Sequence, residues 1–169
     1  MNNIFFTNAF RFIGLIFLQI LIFNNINLFG YLNPYPYLAF VFLFPYKKER
    51  SSLLLLSFLI GLTLDFFTDS GGVHAASTLF IAYFRLYFVK LILRKSEFEY
   101  FTFQITSVSV DKVLLYFFVL IFIHHFLMFS LEFFDLQSFF EILKRTILST
   151  IFTFLVTTFG YYILVSKKK

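Results

Sequence analysis

Cysteine and tryptophan are absent from this 169-residue chain, and proline and glycine number only three and six. Without cysteine there is no disulfide, thiolate metal site or cysteine nucleophile. Charge is also scarce, at 14% of residues against roughly a quarter in soluble domains. H-E-x-x-H, G-x-S-x-G and glycine-rich phosphate loops do not occur, so no motif-borne hydrolase or nucleotide chemistry is indicated. What is present is apolar: 60% of residues are hydrophobic, 31 are Phe, and mean hydropathy is +0.86. A soluble chain of this length could not hide so much apolar surface in one core. The composition indicates an all-α, polytopic membrane protein of one domain, in contact with the lipid bilayer. The Phe excess over Leu reads as codon bias.

A membrane helix needs about 20 apolar residues. Six stretches qualify or come near: Ala9 to Phe29, Tyr31 to Tyr46, Leu53 to Phe67, His74 to Leu93, Val113 to Leu131 and Thr146 to Val165. The second and third are short. Pro34 and Pro36 open the second, where missing N–H groups do least harm to a helix, and Pro45 ends it. Arg11 falls inside the first apolar run with no small-residue cleavage site after it, so this span is expected to be retained rather than removed as a signal peptide.

The net charge of +5 gathers in Lys47-Lys48-Glu49-Arg50, Arg94-Lys95 and Lys167-Lys168-Lys169. These clusters alternate with connections that hold carboxylates or neutral polar groups, which is a topology signal and not a nucleic-acid patch. Six spans with both termini in the cytoplasm place all three clusters inside. A five-span arrangement with Tyr31 to Tyr46 re-entrant and the N-terminus outside satisfies the same clusters; Arg11 favours six. Ser138 to Glu141 has capping-box spacing, predicting a last helix that begins at Ser138 with Glu141 paired to Lys144 or Arg145.

The polar residues at membrane depth gather in one hairpin. Asp65 lies about 18 Å along its helix from Leu53, where an ionisable group costs roughly 2.5–3.5 kcal/mol unless it faces protein or water. Gly61, one turn earlier, lets a neighbouring helix approach. Gly71-Gly72 permits a tight reversal, and His74, Ala75 and Ala76 open the next span. Arg85, in the middle of that span, is the first candidate partner for Asp65, and His74 the rival. His124 and His125 lie at a similar depth, but adjacent helical residues point about 100° apart, so no metal or catalytic centre is expected.

Gly61 to Ala76 (G-L-T-L-D-F-F-T-D-S-G-G-V-H-A-A) resembles the signature hairpin of the rod shape-determining protein MreD family. There a span ends G-x-x-x-D and the next opens G-x-H-A; Gly61, Asp65, Gly72, His74 and Ala75 fall on those positions. Leu18-Gln19 and the Asn-rich run Asn24 to Pro34 look like the Bacteroidetes branch of the family. The resemblance covers the first four spans; beyond them only length and hydropathy match. Many members carry a small residue where this chain has Asp69. The resemblance implies a non-enzymatic subunit of the cell-elongation machinery in the bacterial cytoplasmic membrane, without a cofactor. Its implied partners are an MreC-like protein and, through it, MreB, RodA and a penicillin-binding transpeptidase, and its implied role is support of cell shape and lateral peptidoglycan synthesis. It also implies a six-helix architecture similar to the substrate-binding subunits of ECF vitamin transporters, so a small-molecule transport subunit is the alternative function.

Overall fold

A computed structural model describes residues 2–30, 32–45, 51–93 and 108–166. The three basic clusters that underlie the topology reading lie outside the described residues. Six helices follow one another: α1 (Asn2–Leu21), α2 (Leu38–Leu43), α3 (Ser51–Thr68), α4 (Val73–Phe88, continued by a π-helical turn Val89–Leu93), α5 (Val110–Phe133) and α6 (Phe139–Ser166). No strand occurs among the described residues; Leu28 and Leu32 form an isolated antiparallel bridge.

Among the described residues five stretches are long and apolar enough to cross a membrane: Phe6–Asn25, Ser51–Thr68, Val73–Leu93, Val110–Phe133 and Phe139–Ile163. The expectation of six membrane-spanning helices is therefore corrected to five. The predicted span Tyr31 to Tyr46 has only α2, six residues long, because Pro34 and Pro36 lack an N–H and disfavour helix before them, so residues 33–35 stay non-helical and Pro36 and Tyr37 form a turn into α2.

This segment nevertheless runs through the protein interior. Gln19, late in α1, donates to the Pro34 carbonyl at 3.0 Å, and the Phe12 ring meets Phe40 edge-on at 5.4 Å. Progress along the segment thus means retreat along α1. The same segment meets His74 and Thr78 through Tyr37, and Arg85 through Phe42 and Phe44, so it runs with α4. Against α5 the order reverses, from Tyr35–His125 through Tyr37–His124 to Phe42–Tyr116. α6 in turn runs against α5, since Thr153 meets His125 and Tyr161 meets Phe117. Among the described residues the five long helices and the segment 32–45 thus alternate in direction.

Non-helical backbone at membrane depth is tolerable only where it is buried in protein, and several of its polar groups find partners there. Pro34 and Pro36 have no N–H to satisfy. Between them, the Tyr35 N–H donates to the Thr153 hydroxyl at 3.0 Å. The carbonyls of Tyr35, Pro36 and Tyr37 accept from Leu38, Ala39 and Phe40. At the far end, where α2 stops, Arg85 donates to the carbonyls of Phe42 at 3.1 Å and Phe44 at 2.5 Å. Tyr37, Leu38, Val41 and Phe42 are fully buried, so the segment is the centre of the core rather than a lipid-facing element. Around it pack Ile60, Leu64, Ile81, Tyr116, Phe117, Leu120 and Ile121.

The helix ends have local causes. Asn25 donates its side-chain amide to the last carbonyls of α1, Ile20 and Leu21. α5 closes with Phe134 in the left-handed region, its N–H returning to the Ser130 carbonyl. Asp135 accepts the Gln137 N–H and the Ser138 hydroxyl, and α6 begins at Phe139, one residue after the predicted Ser138. Glu141 pairs with both Lys144 (3.5 Å) and Arg145 (3.0 Å).

Candidate functional site

The first polar centre is a clasp between α3 and α4. α4 begins immediately after Gly71 and Gly72, whose φ angles of +68° and +98° lie where only glycine is comfortable. Gly72 stands at the helix N-cap and has no side chain to serve the free N–H groups of the first turn. Asp65 on α3 supplies the missing acceptor. One carboxylate oxygen accepts the His74 N–H at 2.8 Å and the Ser70 hydroxyl at 2.6 Å; the other accepts the Ala75 N–H at 2.8 Å. Thr68, in the last turn of α3, supports Ser70 at 2.9 Å. The carboxylate is thus a helix cap delivered from a neighbouring helix, with the helix N-terminal dipole adding to its stabilisation.

Gly61 makes that delivery possible. A Cβ there would stand 2.5 Å from the Ala75 Cα and 2.7 Å from both the Ala75 N and the His74 carbonyl oxygen. All three are backbone atoms that cannot rotate aside. Gly61 and Asp65, one turn apart on α3, therefore press on the same two residues of α4.

The expected Asp65–Arg85 pair is not formed. Asp65 is level with His74 and Ala75, ten residues and about 15 Å from Arg85 along α4. Arg85 stands near the middle of its span, whereas the register of the hairpin sets Asp65 against the first turn of α4. Arg85, fully buried, donates to Phe42, Phe44 and the Tyr116 hydroxyl instead. His74, the rival partner, does meet Asp65, but through its backbone N–H and not its imidazole.

The His74 imidazole belongs to a second centre. The Tyr37 hydroxyl lies 3.3 Å from His74 Nδ1, 3.2 Å from Thr78 Oγ1 and 3.0 Å from His124 Nε2. His124 Nδ1 is buried with no protein partner, which orders the chain. If Nε2 carries the proton and donates to Tyr37, the orphan at Nδ1 is a lone pair, cheaper to leave unmet than an N–H. Tyr37 is then free to donate to His74 or Thr78. His125 makes a separate arrangement: Nδ1 donates to the Ile121 carbonyl at 2.9 Å, and Nε2 faces the Thr153 hydroxyl at 3.4 Å. Adjacent His124 and His125 thus diverge as helical geometry requires, one to Tyr37 and one towards Tyr35. Among the described residues no group of three His, Cys, Asp or Glu side chains is placed to hold a metal ion.

Tyr35, Tyr37, Thr78 and Thr153 were not legible as partners of the histidines. The usable signal was Pro34 and Pro36 in a short apolar run, since interrupted membrane segments are where polar groups gather. The α6 face at this level is formed by Thr146, Ser149, Thr150, Thr153 and Thr157, all buried, small enough for close packing on α5.

In comparisons with known proteins, no family model matches the chain, and no curated protein and no solved structure matches it.

Proposed function

We propose that this chain is a non-enzymatic, multi-pass subunit of the bacterial cell-elongation complex, of the MreD type, residing in the cytoplasmic membrane. In this reading it works beside an MreC-like protein, and through it with MreB, RodA and a penicillin-binding transpeptidase, in support of lateral peptidoglycan synthesis. The observation that carries it is the convergence of the five resembling positions on one contact. Gly61, Asp65 and Gly72 all act on the backbone of His74 and Ala75. A motif of this kind that builds a rigid hairpin and exposes no nucleophile suits a scaffold better than an enzyme.

The alternating directions bring both ends of the described chain to one face of the bundle, opposite the α3–α4 turn. The described chain reaches that face at residues 45, 93 and 166, each followed in the sequence by a basic cluster, and by the positive-inside rule we read the face as cytoplasmic. The second reading, a substrate-binding subunit of a vitamin-type transporter with ECF-like architecture, is favoured by the interrupted segment beside the Tyr37–His74–His124 cluster.

Depletion in a rod-shaped host separates the two. The elongation reading expects cells that round up before they lyse, and co-purification with an MreC-like periplasmic coiled-coil protein. Normal cell shape with loss of uptake of one vitamin would instead establish the transport reading.

A further inference from the structure

α1 is the least enclosed of the five long helices: only 6% of its span is buried. Its residues divide into three faces at helical spacing. Phe12, Leu15, Ile16, Gln19 and Ile20 pack on the bundle. Phe6, Phe10, Ile13, Phe17 and Leu21 form an exposed apolar face suited to lipid. The remaining strip, Thr7, Arg11, Gly14 and Leu18, is unlike either, with a cation and a glycine one turn apart.

Arg11 sits at membrane depth. Its neighbour Phe12 meets Phe40, which lies between Tyr37 and Phe42 in the buried segment. Among the described residues Arg11 has no hydrogen-bond or ion-pair partner. Three carboxylates of the bundle are engaged elsewhere. Asp65 is held in the clasp, Asp135 caps α6 and Glu141 holds Lys144 and Arg145. A guanidinium on a lipid-facing helix is costly and marks a functional contact. Beside it, a Cβ on Gly14 would meet nothing within 4 Å, leaving a notch in which another helix backbone can approach closely.

We propose that the Thr7–Arg11–Gly14–Leu18 strip is the docking site for a transmembrane helix of another protein that carries a carboxylate at the depth of Arg11. Charge complementarity selects the occupant: an acidic side chain neutralises Arg11 inside the bilayer with a bidentate pair, while Gly14 sets the close approach that lets the two meet. The site stands whether or not the cell-shape reading does, since nothing in it depends on the α3–α4 clasp.

The test uses the full chain in phosphatidylcholine vesicles with a labelled single-span Leu/Ala peptide of about 20 residues, bearing Glu, Gln or Lys at the matching depth. Association is followed by energy transfer. The expected result is roughly tenfold tighter association of the Glu peptide than of the Gln peptide, lost in Arg11→Gln and weakened in Gly14→Leu. Arg11→Glu is expected to prefer the Lys peptide, a reversal that a merely unfolded variant cannot show. Equal association of the Glu and Gln peptides with the wild-type chain overturns the proposal. So does discrimination that survives Arg11→Gln. Peptide-independent enrichment of phosphatidylglycerol around the wild-type chain, lost in Arg11→Gln, would assign Arg11 to a lipid phosphate and overturn it as well.

Discussion

Asp65 caps a helix to which it does not belong. Its two carboxylate oxygens accept the N–H groups of His74 and Ala75, each at 2.8 Å, so α3 supplies what Gly72 at the N-cap of α4 cannot. Because the acceptor must reach across to another helix, its action depends on how closely the two backbones approach, and Gly61 sets that distance. The chain tolerates a carboxylate at this depth because it meets three donors, two of them on a helix N-terminus.

Asp65→Ala removes the acceptor and leaves two buried N–H groups unmet, an expected loss of ~2–6 kcal/mol at 1–3 kcal/mol for each unsatisfied donor. Asp65→Asn is expected to lose almost as much, because one of its two terminal atoms becomes an NH2 facing a backbone N–H. Thermal unfolding of the purified protein in detergent measures both. Asp65→Asn with wild-type stability would mean that the clasp does not depend on two acceptors.

Arg85 acts on different groups, so its loss should combine with that of Asp65 as a plain sum, to within about 0.5 kcal/mol, the rule for separated sites with no shared partner. Arg85→Gln alone strands the Phe42 and Phe44 carbonyls at the end of α2. A double variant markedly more stable than that sum would show the two residues to be coupled after all.

Gly61→Ala places a methyl group against backbone, and overpacking of this kind costs ~1–3 kcal/mol or more. The informative companion is Ala75→Gly. The clash is with the Ala75 Cα and N and the His74 carbonyl, not with the Ala75 side chain, so the double variant should remain as unstable as Gly61→Ala. Recovery of the melting temperature in the double variant would contradict this geometry.

Pro36→Ala introduces an N–H into a buried turn, at an expected cost of ~1–3 kcal/mol as an unsatisfied donor. In a membrane helix the same exchange would instead remove a helix breaker. Tyr37→Phe leaves Thr78 and two imidazoles without their shared hydroxyl and is expected to destabilise by a similar amount. Stabilisation by Pro36→Ala would argue that residues 33–37 do not run non-helically through the core.

Reporter fusions at Asn2 and after Arg50, Arg94 and Lys169 should all report the cytoplasm, with fusions in the α3–α4 and α5–α6 turns on the opposite side. A signal outside the cytoplasm at Asn2 alone would mean that α1 does not run against the buried segment as its Gln19–Pro34 and Phe12–Phe40 contacts require.

The long apolar helices and the α3–α4 reversal were legible in the sequence, because their causes are local. Hydropathy over about 20 residues indicates a span, and Gly71-Gly72 permits a tight turn. Gly61 as a point of close approach was also legible, since a missing side chain has the same meaning wherever the partner lies. The route of residues 32–45 was not. Two prolines showed where a helix is difficult, but whether an interrupted chain survives at membrane depth rests on Gln19, Thr153 and Arg85, which reach it from three other helices. Nor were the partners of the buried polar groups legible. Depth along a helix limits which residues share a level, yet the register between α3 and α4 places Asp65 beside His74 and leaves Arg85 about 15 Å away. Which donor satisfies which acceptor depends on packing between helices distant in sequence, and a helical pattern says nothing about that register. The sequence by itself determined that there would be buried polar groups to satisfy; only the tertiary structure decided what satisfies them.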